Sequence, residues 1–351
     1  MTRIPRLTAT ATVVAALTAA TVGAAPSHAD GPRGRGLEHC TTAAPFVCRF
    51  DVPPGTYHVQ VMLGGDTAGS TSVTAETRRT VLAETATSTG ERIHRSFTVD
   101  VRVPEGQPTG PAGSPGLDLT FGGTAPLPAG VVVTPAPSAT RMFLIGDSTV
   151  CDQPGAPYAG WGQQLPQYLK RGVAVANHAD SGESTVSYLA HPALFPAVQP
   201  LIRGGDPVLI QLAHNDRQTD AATYRANLTT LVDGVRARGG RPVLVSPIVR
   251  RWFGTDGTLD NGTALLVNGL GVDHPAEVRR LAADLAIPLI DLTALTKARV
   301  EALGQEASKA LYLTTERNDD THTSVRGATE YAALVVAELR AQRIVPVRLI
   351  R

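Results

Sequence analysis

Four short stretches carry side chains that can cooperate in one reaction. Gly146-Asp147-Ser148-Thr149 offers a serine, Ala179-Asp180-Ser181-Gly182 a glycine, Ala213-His214-Asn215-Asp216 a side-chain amide, and Asp319-Asp320-Thr321-His322 a carboxylate and an imidazole three residues apart. A serine hydroxyl attacks a carbonyl only when a base takes its proton and a third group holds that base in position. Asp319 can orient His322 and stabilise its imidazolium, and His322 can serve Ser148 as base. The chemistry is acyl transfer, whose transition state places charge on the ester oxygen and needs donors aimed at it. The backbone N–H groups of Ser148 and Gly182 and the amide of Asn215 are the candidate donors for such an oxyanion hole. Each block alone is ordinary, because small polar and acidic residues also cap helices. Their combination is what points to a serine esterase.

The elements that must position these blocks can be read from hydrophobic patterning. Short apolar runs at 142–145, 173–176, 207–212, 242–245 and 287–292 alternate with helical stretches at 161–170, 221–238, 275–285, 293–311 and 325–342. Continuous apolar strands separated by helices imply a parallel sheet covered on both faces, a three-layer αβα domain over residues 141–351. Ligands of such sheets bind at the carboxyl ends of the strands, and the first three blocks each follow a strand. Upstream, residues 37–134 hold alternating runs rich in Val, Thr, Tyr and Phe at 56–63, 92–102, 117–121 and 131–134, separated by Pro/Gly turns and without an amphipathic helix. That pattern predicts a small all-β sandwich, carbohydrate-binding or substrate-shaping in role. The Pro-rich run 125–140 reads as a linker. On that reading a chain lacking residues 30–135 still cleaves a small acetyl ester.

The blocks resemble those of the GDSL/SGNH hydrolases, a name that matches Ser148, Gly182, Asn215 and His322. The wider text is similar to the rhamnogalacturonan acetylesterase group of that family: Gly146-Asp-Ser-Thr-Val-Cys151, Gly160-Trp-Gly162, His214-Asn-Asp216, Ser246-Pro-Ile-Val-Arg-Arg251 and Asp319-Asp-Thr-His322. The likeness extends over residues 142–339. It implies a flavodoxin-like αβα fold, a Ser148–His322–Asp319 triad and an oxyanion hole of Ser148, Gly182 and Asn215. It also implies catalysis through an acyl-enzyme without metal or organic cofactor, and acetylated polysaccharide or oligosaccharide as substrate. One position departs from the family. Ala213 stands where the third block usually begins with Gly, so a left-handed backbone there would be strained. The Gly-x-Ser-x-Gly pentapeptide of the α/β-hydrolases is absent.

Composition bounds the remaining readings. The 351 residues are 42% hydrophobic and 18% charged, which allows a sizeable core without disulfides carrying the fold. Residues 1–29 read as a secretory signal, with Arg3 and Arg6 before a small apolar run and Ser27-His28-Ala29 at the cleavage site, so the protein is expected to be secreted and free of the membrane. Their removal takes away two arginines and no acid, turning a formal charge of +1 into −1, which argues against nucleic-acid partners. Of three cysteines, Cys40 and Cys48 are expected to pair in an oxidising compartment, leaving Cys151 as a small buried thiol. For Trp161 two readings stand, stacking on a sugar ring or filling the core. His178, His191 and His274 lack metal-ligand spacing and read as structural. Two rival functions remain: a lipase, thioesterase or other short-chain esterase on the same fold, and a carbohydrate-binding protein with an inactive hydrolase domain. Oligomeric state is not legible.

Overall fold

The computed structural model of the protein describes residues 36–351. The secretory-signal reading of residues 1–29 lies outside the described residues.

Period-two alternation builds the first half. Seven strands, β1 (Phe46–Phe50), β2 (Gly55–Leu63), β3 (Gly69–Ala75), β4 (Arg79–Thr87), β5 (Ile93–Val101), β6 (Leu117–Ala125) and β7 (Pro128–Pro135), form two antiparallel sheets in the orders β1-β6-β3-β4 and β5-β2-β7. Val59, Val61, Leu63, Val73, Phe97, Val99, Leu117, Leu119 and Phe121 point between the sheets and are buried there. A disulfide joins Cys40 to Cys48 at the sandwich's edge.

The second half is a parallel sheet of β8 (Thr140–Gly146), β9 (Val173–Asn177), β10 (Pro207–Gln211), β11 (Arg241–Val245) and β12 (Leu289–Ile290), in the spatial order β12-β11-β10-β8-β9. Both faces are covered. Met142 and Leu144 of β8 join one apolar cluster, with Trp161, Val335 and Leu339, while Phe143 and Ile145 join the other, with Leu228, Leu231 and Val235. Numbered within the domain, the strand order is 2-1-3-4-5, which reverses direction beside β8. The carboxyl ends of β8, β9 and β10 therefore open on one crevice. A short antiparallel pair, β13 (Tyr312–Leu313) with β14 (Asp319–Thr323), precedes the closing helix Val325–Ala341.

The linker reading of residues 125–140 needs correction. Pro128–Pro135 is β7, paired along its length with β2, so the two prolines sit at the ends of a sheet-edge strand, where a missing N–H is tolerated. Only residues 136–139 connect the halves, and their ends are anchored: Ala136 N–H donates to Thr56 O at 2.8 Å, and Arg203 Nη2 donates to Ala139 O at 3.0 Å. Buried charges also tie the two halves together. Arg79 of β4, 2% exposed, places its Nε 3.2 Å from the fully buried Asp152 carboxylate of the hydrolase half, and Arg102 reaches the same oxygen at 3.3 Å. Asn177 at the end of β9 donates to the other Asp152 oxygen at 2.8 Å. Residues 36–351 accordingly form one compact unit.

Candidate active site

Ser148, Gly182 and Asn215 sit on turns that the sheet order brings to one crevice, and β14 carries Asp319 and His322 to the same place. Ser148 follows β8. Its turn is fixed by Asp147, whose buried carboxylate accepts from the Thr149 N–H at 3.0 Å and the Thr149 hydroxyl at 2.7 Å. The other Asp147 oxygen lies 3.1 Å from Nδ1 of the buried His214, tying the turn after β8 to the turn after β10. Burial works against the Asp147 charge, but His214 and Thr149 outweigh it and hold the carboxyl below its ordinary range.

His322, on β14, places Nε2 2.9 Å from Ser148 Oγ and Nδ1 2.7 Å from Asp319 Oδ2. The second Asp319 oxygen accepts from the N–H groups of Thr321, at 2.8 Å, and His322, at 3.0 Å. Desolvation opposes the Asp319 charge, yet these two amides and the imidazole hold its carboxyl below the usual range. Neighbouring Asp320 is gripped by the nearly buried Arg251, side chain to side chain at 2.9 Å and backbone to backbone at 2.7 Å. Tyr158 meets the His322 ring edge-on, centroids 5.6 Å apart.

Ser148, Gly182, Asn215 and His322 line one open pocket of about 290 Å³, with Gln153, Tyr158 and Ser181. Gly182 has φ of +85°, so glycine is required by its left-handed backbone and not by crowding, since a Cβ there would meet nothing within 4 Å. Asn215 Nδ2 donates to Glu183 O at 3.0 Å, which uses one of its two protons and fixes the amide. The pocket can thus hold an ester carbonyl between a hydroxyl–imidazole–carboxylate chain and donors from three separate turns.

Some expectations change. Trp161 is 1% exposed and its Nε1 donates to Gln211 Oε1 at 2.9 Å, so it is a core residue under the sheet and not a substrate contact. The Gly160-Trp-Gly162 spacing reflects packing: a Cβ on either glycine would meet the Val150 backbone within 2.6 Å. Ala213 is buried with its backbone outside the left-handed region, so replacing the usual Gly strains nothing. Cys151 is buried beside Ser148 O and Ser181 Oγ, and burial pushes its thiol well up. His178 stacks on Phe143 and His274 Nδ1 bonds Leu266 O.

Sequence reasoning missed the sandwich's contribution. Thr109, in the loop after β5, donates its N–H and hydroxyl to the Asp180 carboxylate at 2.7 and 2.9 Å, and Gln107 Oε1 accepts from Ser181 N–H at 2.7 Å. Arg78, between β3 and β4, donates to the carbonyls of Gln153 and Tyr158 at 3.0 and 3.2 Å. No local pattern marks these residues, because they reach the site only through tertiary packing. Trp252 was also missed. It is 54% exposed and directly follows the Ser246–Arg251 motif, outside the lining of the catalytic pocket.

Comparison with known proteins agrees with this geometry. Residues 144–330 match the GDSL-like lipase/acylhydrolase family. The chain is 39% identical over 211 residues to rhamnogalacturonan acetylesterase RhgT of Bacillus subtilis, covering 56% of this chain and 87% of that protein. It is 30% identical over 212 residues to the probable rhamnogalacturonan acetylesterase YesY of the same organism, covering 58% and 93%. The crystal structure of YxiM from Bacillus subtilis superposes with a TM-score of 0.53 at 26% identity over 85% of this chain and 80% of that one, more than the hydrolase half alone supplies. The matched span holds all four blocks, and its likeness to RhgT places the chain within a family of ester-cleaving proteins. This protein belongs to the GDSL-like lipase/acylhydrolase family, in its rhamnogalacturonan acetylesterase-like group, and is a carboxylic ester hydrolase.

Proposed function

We propose that this chain is an exported carbohydrate esterase that removes acetyl groups from a polysaccharide, pectic rhamnogalacturonan or a similar glycan, through an acyl-enzyme on Ser148. The observation that carries the proposal is the unbroken chain Asp319–His322–Ser148, at 2.7 and 2.9 Å, opening on a pocket that Gly182 and Asn215 also line. His322 takes the hydroxyl proton as Ser148 Oγ attacks the acetyl carbonyl, and Asp319 stabilises the imidazolium. The oxyanion is held by the N–H groups of Ser148 and Gly182 and the free amide proton of Asn215. Collapse breaks the C–O bond to the sugar, whose oxygen takes the proton from His322. Water, deprotonated by the same imidazole, then attacks the acyl carbon, and acetate leaves as the Ser148 hydroxyl is restored.

The substrate class is supported by the names of RhgT and YesY, both rhamnogalacturonan acetylesterases, one of them probable. It is supported too by the open pocket, whose lining includes Ser181, Gln153, Tyr158 and Asn215 and offers no deep channel for a long acyl chain, and by Trp252, a large exposed ring beside the loop that holds Asp320. Export is supported by the basic, apolar and small-residue order of residues 1–29 and by the Cys40–Cys48 disulfide. The test offers acetylated rhamnogalacturonan, acetylated xylan, 4-nitrophenyl acetate and a long-chain 4-nitrophenyl ester to the protein and to Ser148→Ala. Acetate release from a glycan by the wild type alone is expected. Equal release by the variant, or preference for the long-chain ester, rejects the reading.

A further inference from the structure

A second cavity, of about 390 Å³, lies where the sandwich meets the hydrolase half. Its wall is made by Glu76, Thr77 and Arg78 from the β3–β4 turn and by Glu105, Gln107 and Pro111 from the loop after β5. The size falls within the roughly 300–1,000 Å³ range of small-ligand sites. No residue lines both it and the catalytic pocket, but their walls adjoin at two points. Asp152 and Pro154 line the cavity while Gln153, between them, lines the catalytic pocket; Gln107 lines the cavity while its amide oxygen holds Ser181, which lines the catalytic pocket.

The lining has polar capacity that the protein itself leaves unused. Glu76 has a fully buried side chain; its Oε1 accepts from Asp118 N–H at 3.1 Å, but Oε2 has no hydrogen-bond partner, with Arg79 Nη2 3.9 Å away. An unpaired buried carboxylate oxygen costs stability and calls for a partner the chain does not supply. Arg78 spends Nη1 on two carbonyls, which leaves the rest of its guanidinium fork open, and Gln107 spends only its oxygen. Donors and acceptors thus surround a space large enough for one ring, as sugar hydroxyls require.

Charge decides which ring. Glu105 is already satisfied by the Thr77 hydroxyl, at 3.0 Å, and by Ser114; with Asp152 offset by Arg79 and Arg102, Glu105 and Glu76 face the single lining cation Arg78. A uronate carboxylate would meet like charge here. Burial is the main cause that pushes the Glu76 carboxyl up to about 7, against the pull of Arg79, so near neutrality it can donate as well as accept.

We infer that this cavity is a sugar subsite built by the sandwich, taking an uncharged pyranose of the polysaccharide whose acetylated neighbour occupies the catalytic pocket. The inference rests on the polysaccharide reading proposed above, and the test separates the two. Full-length Ser148→Ala, with and without Pro111→Trp at the exposed cavity rim, is titrated calorimetrically with acetylated rhamnogalacturonan oligosaccharides, xylo-oligosaccharides and oligogalacturonides. Acetate release by protein with intact Ser148 is measured alongside. Binding of oligomers that contain neutral sugars, weakened at least tenfold by Pro111→Trp, is expected. The kcat/KM on the acetylated oligosaccharide is expected to fall at least tenfold further than that on 4-nitrophenyl acetate. Glu76→Gln, which keeps the bond from Asp118, serves as a second variant inside the cavity and is expected to weaken oligosaccharide binding less than Pro111→Trp. Binding unaffected by both variants, no binding of any oligomer, or tighter binding of the all-uronate oligomer overturns the subsite. Failure to release acetate from any glycan, with cavity-dependent binding intact, overturns the esterase reading and leaves the subsite standing.

Discussion

Thr109 holds both oxygens of Asp180, its N–H on one at 2.7 Å and its hydroxyl on the other at 2.9 Å, although the two residues belong to different halves of the chain. Asp180 is followed two residues later by Gly182, whose N–H faces the catalytic pocket's oxyanion position in the proposed mechanism. The sandwich therefore clamps a turn on which acyl transfer depends. Thr109→Val removes one of the two bonds and keeps the backbone one. We expect kcat on 4-nitrophenyl acetate to fall about fivefold, roughly 1 kcal/mol, with KM nearly constant. Steady-state kinetics checks this, and a loss confined to KM speaks against the clamp.

Asn215 and Gly182 should differ in how they fail. Asn215→Ala deletes a donor outright, and kcat is expected to drop by about 10²–10³. Gly182→Ala keeps the N–H but forces alanine to a φ of +85°, at a cost of about 1 kcal/mol in stability and a smaller kcat loss. Urea unfolding beside kinetics separates the two.

Asp319 gives the triad a pH signature in stability. Its folded carboxyl lies below the ordinary range, so its contribution is present above that range and is lost as pH falls through the lower folded value. The stability difference between wild type and Asp319→Asn should stay level from pH 7 to 5 and shrink only below about pH 4. Kinetically, Asp319→Asn is expected to cost about 10⁴ in kcat. A stability difference that already shrinks between pH 7 and 5 contradicts the assignment.

Glu76 has the opposite sign. Its folded value of about 7 lies above the unfolded one, so its contribution is complete below the unfolded value and disappears as pH rises through 7. Glu76→Gln should match wild type near pH 4.5 and exceed it at pH 8, by about 2–3 kcal/mol. Chemical denaturation at the two pH values decides it.

Trp252 is exposed and Trp161 buried, so substitution of each separates an effect on substrate from an effect on the core. Trp252→Ala should lower kcat/KM on acetylated polysaccharide about tenfold more than on 4-nitrophenyl acetate, the loss of one stacking surface. Trp161→Phe, which strands Gln211 in the core, should instead lower stability by about 1–3 kcal/mol and leave the ratio between substrates in place.

The αβα half was legible because each of its strands is a short apolar run flanked by turn residues, as in Met142-Phe143-Leu144-Ile145 before Gly146. The catalytic blocks were legible because that architecture places the ends of β8, β9 and β10 together whatever the distance in sequence. Elsewhere the text is quieter. β3 and β4 were not recognised, since Gly69–Ala75 is mostly Ser, Thr and Ala, and Arg79–Thr87 opens on an arginine that is buried only because Asp152 awaits it. The run from 161 to 170 is helical only over Trp161–Gln164 before it tightens at Pro166. The segment that carries His322 had no strand pattern to read, and it is a strand because β13 offers it an edge. Thr109, Gln107 and Arg78 carry no signature at all.

The four residues 136–139 hardly hold the molecule together. Arg79, Arg102, Asp152 and Asn177 do that from both sides, so peptide continuity and mechanical continuity run along different routes. A single proteolytic cut at the exposed Pro137–Ser138 bond is expected to yield two fragments that co-elute on gel filtration and still turn over ester. Such a protein is covalently severed and functionally whole.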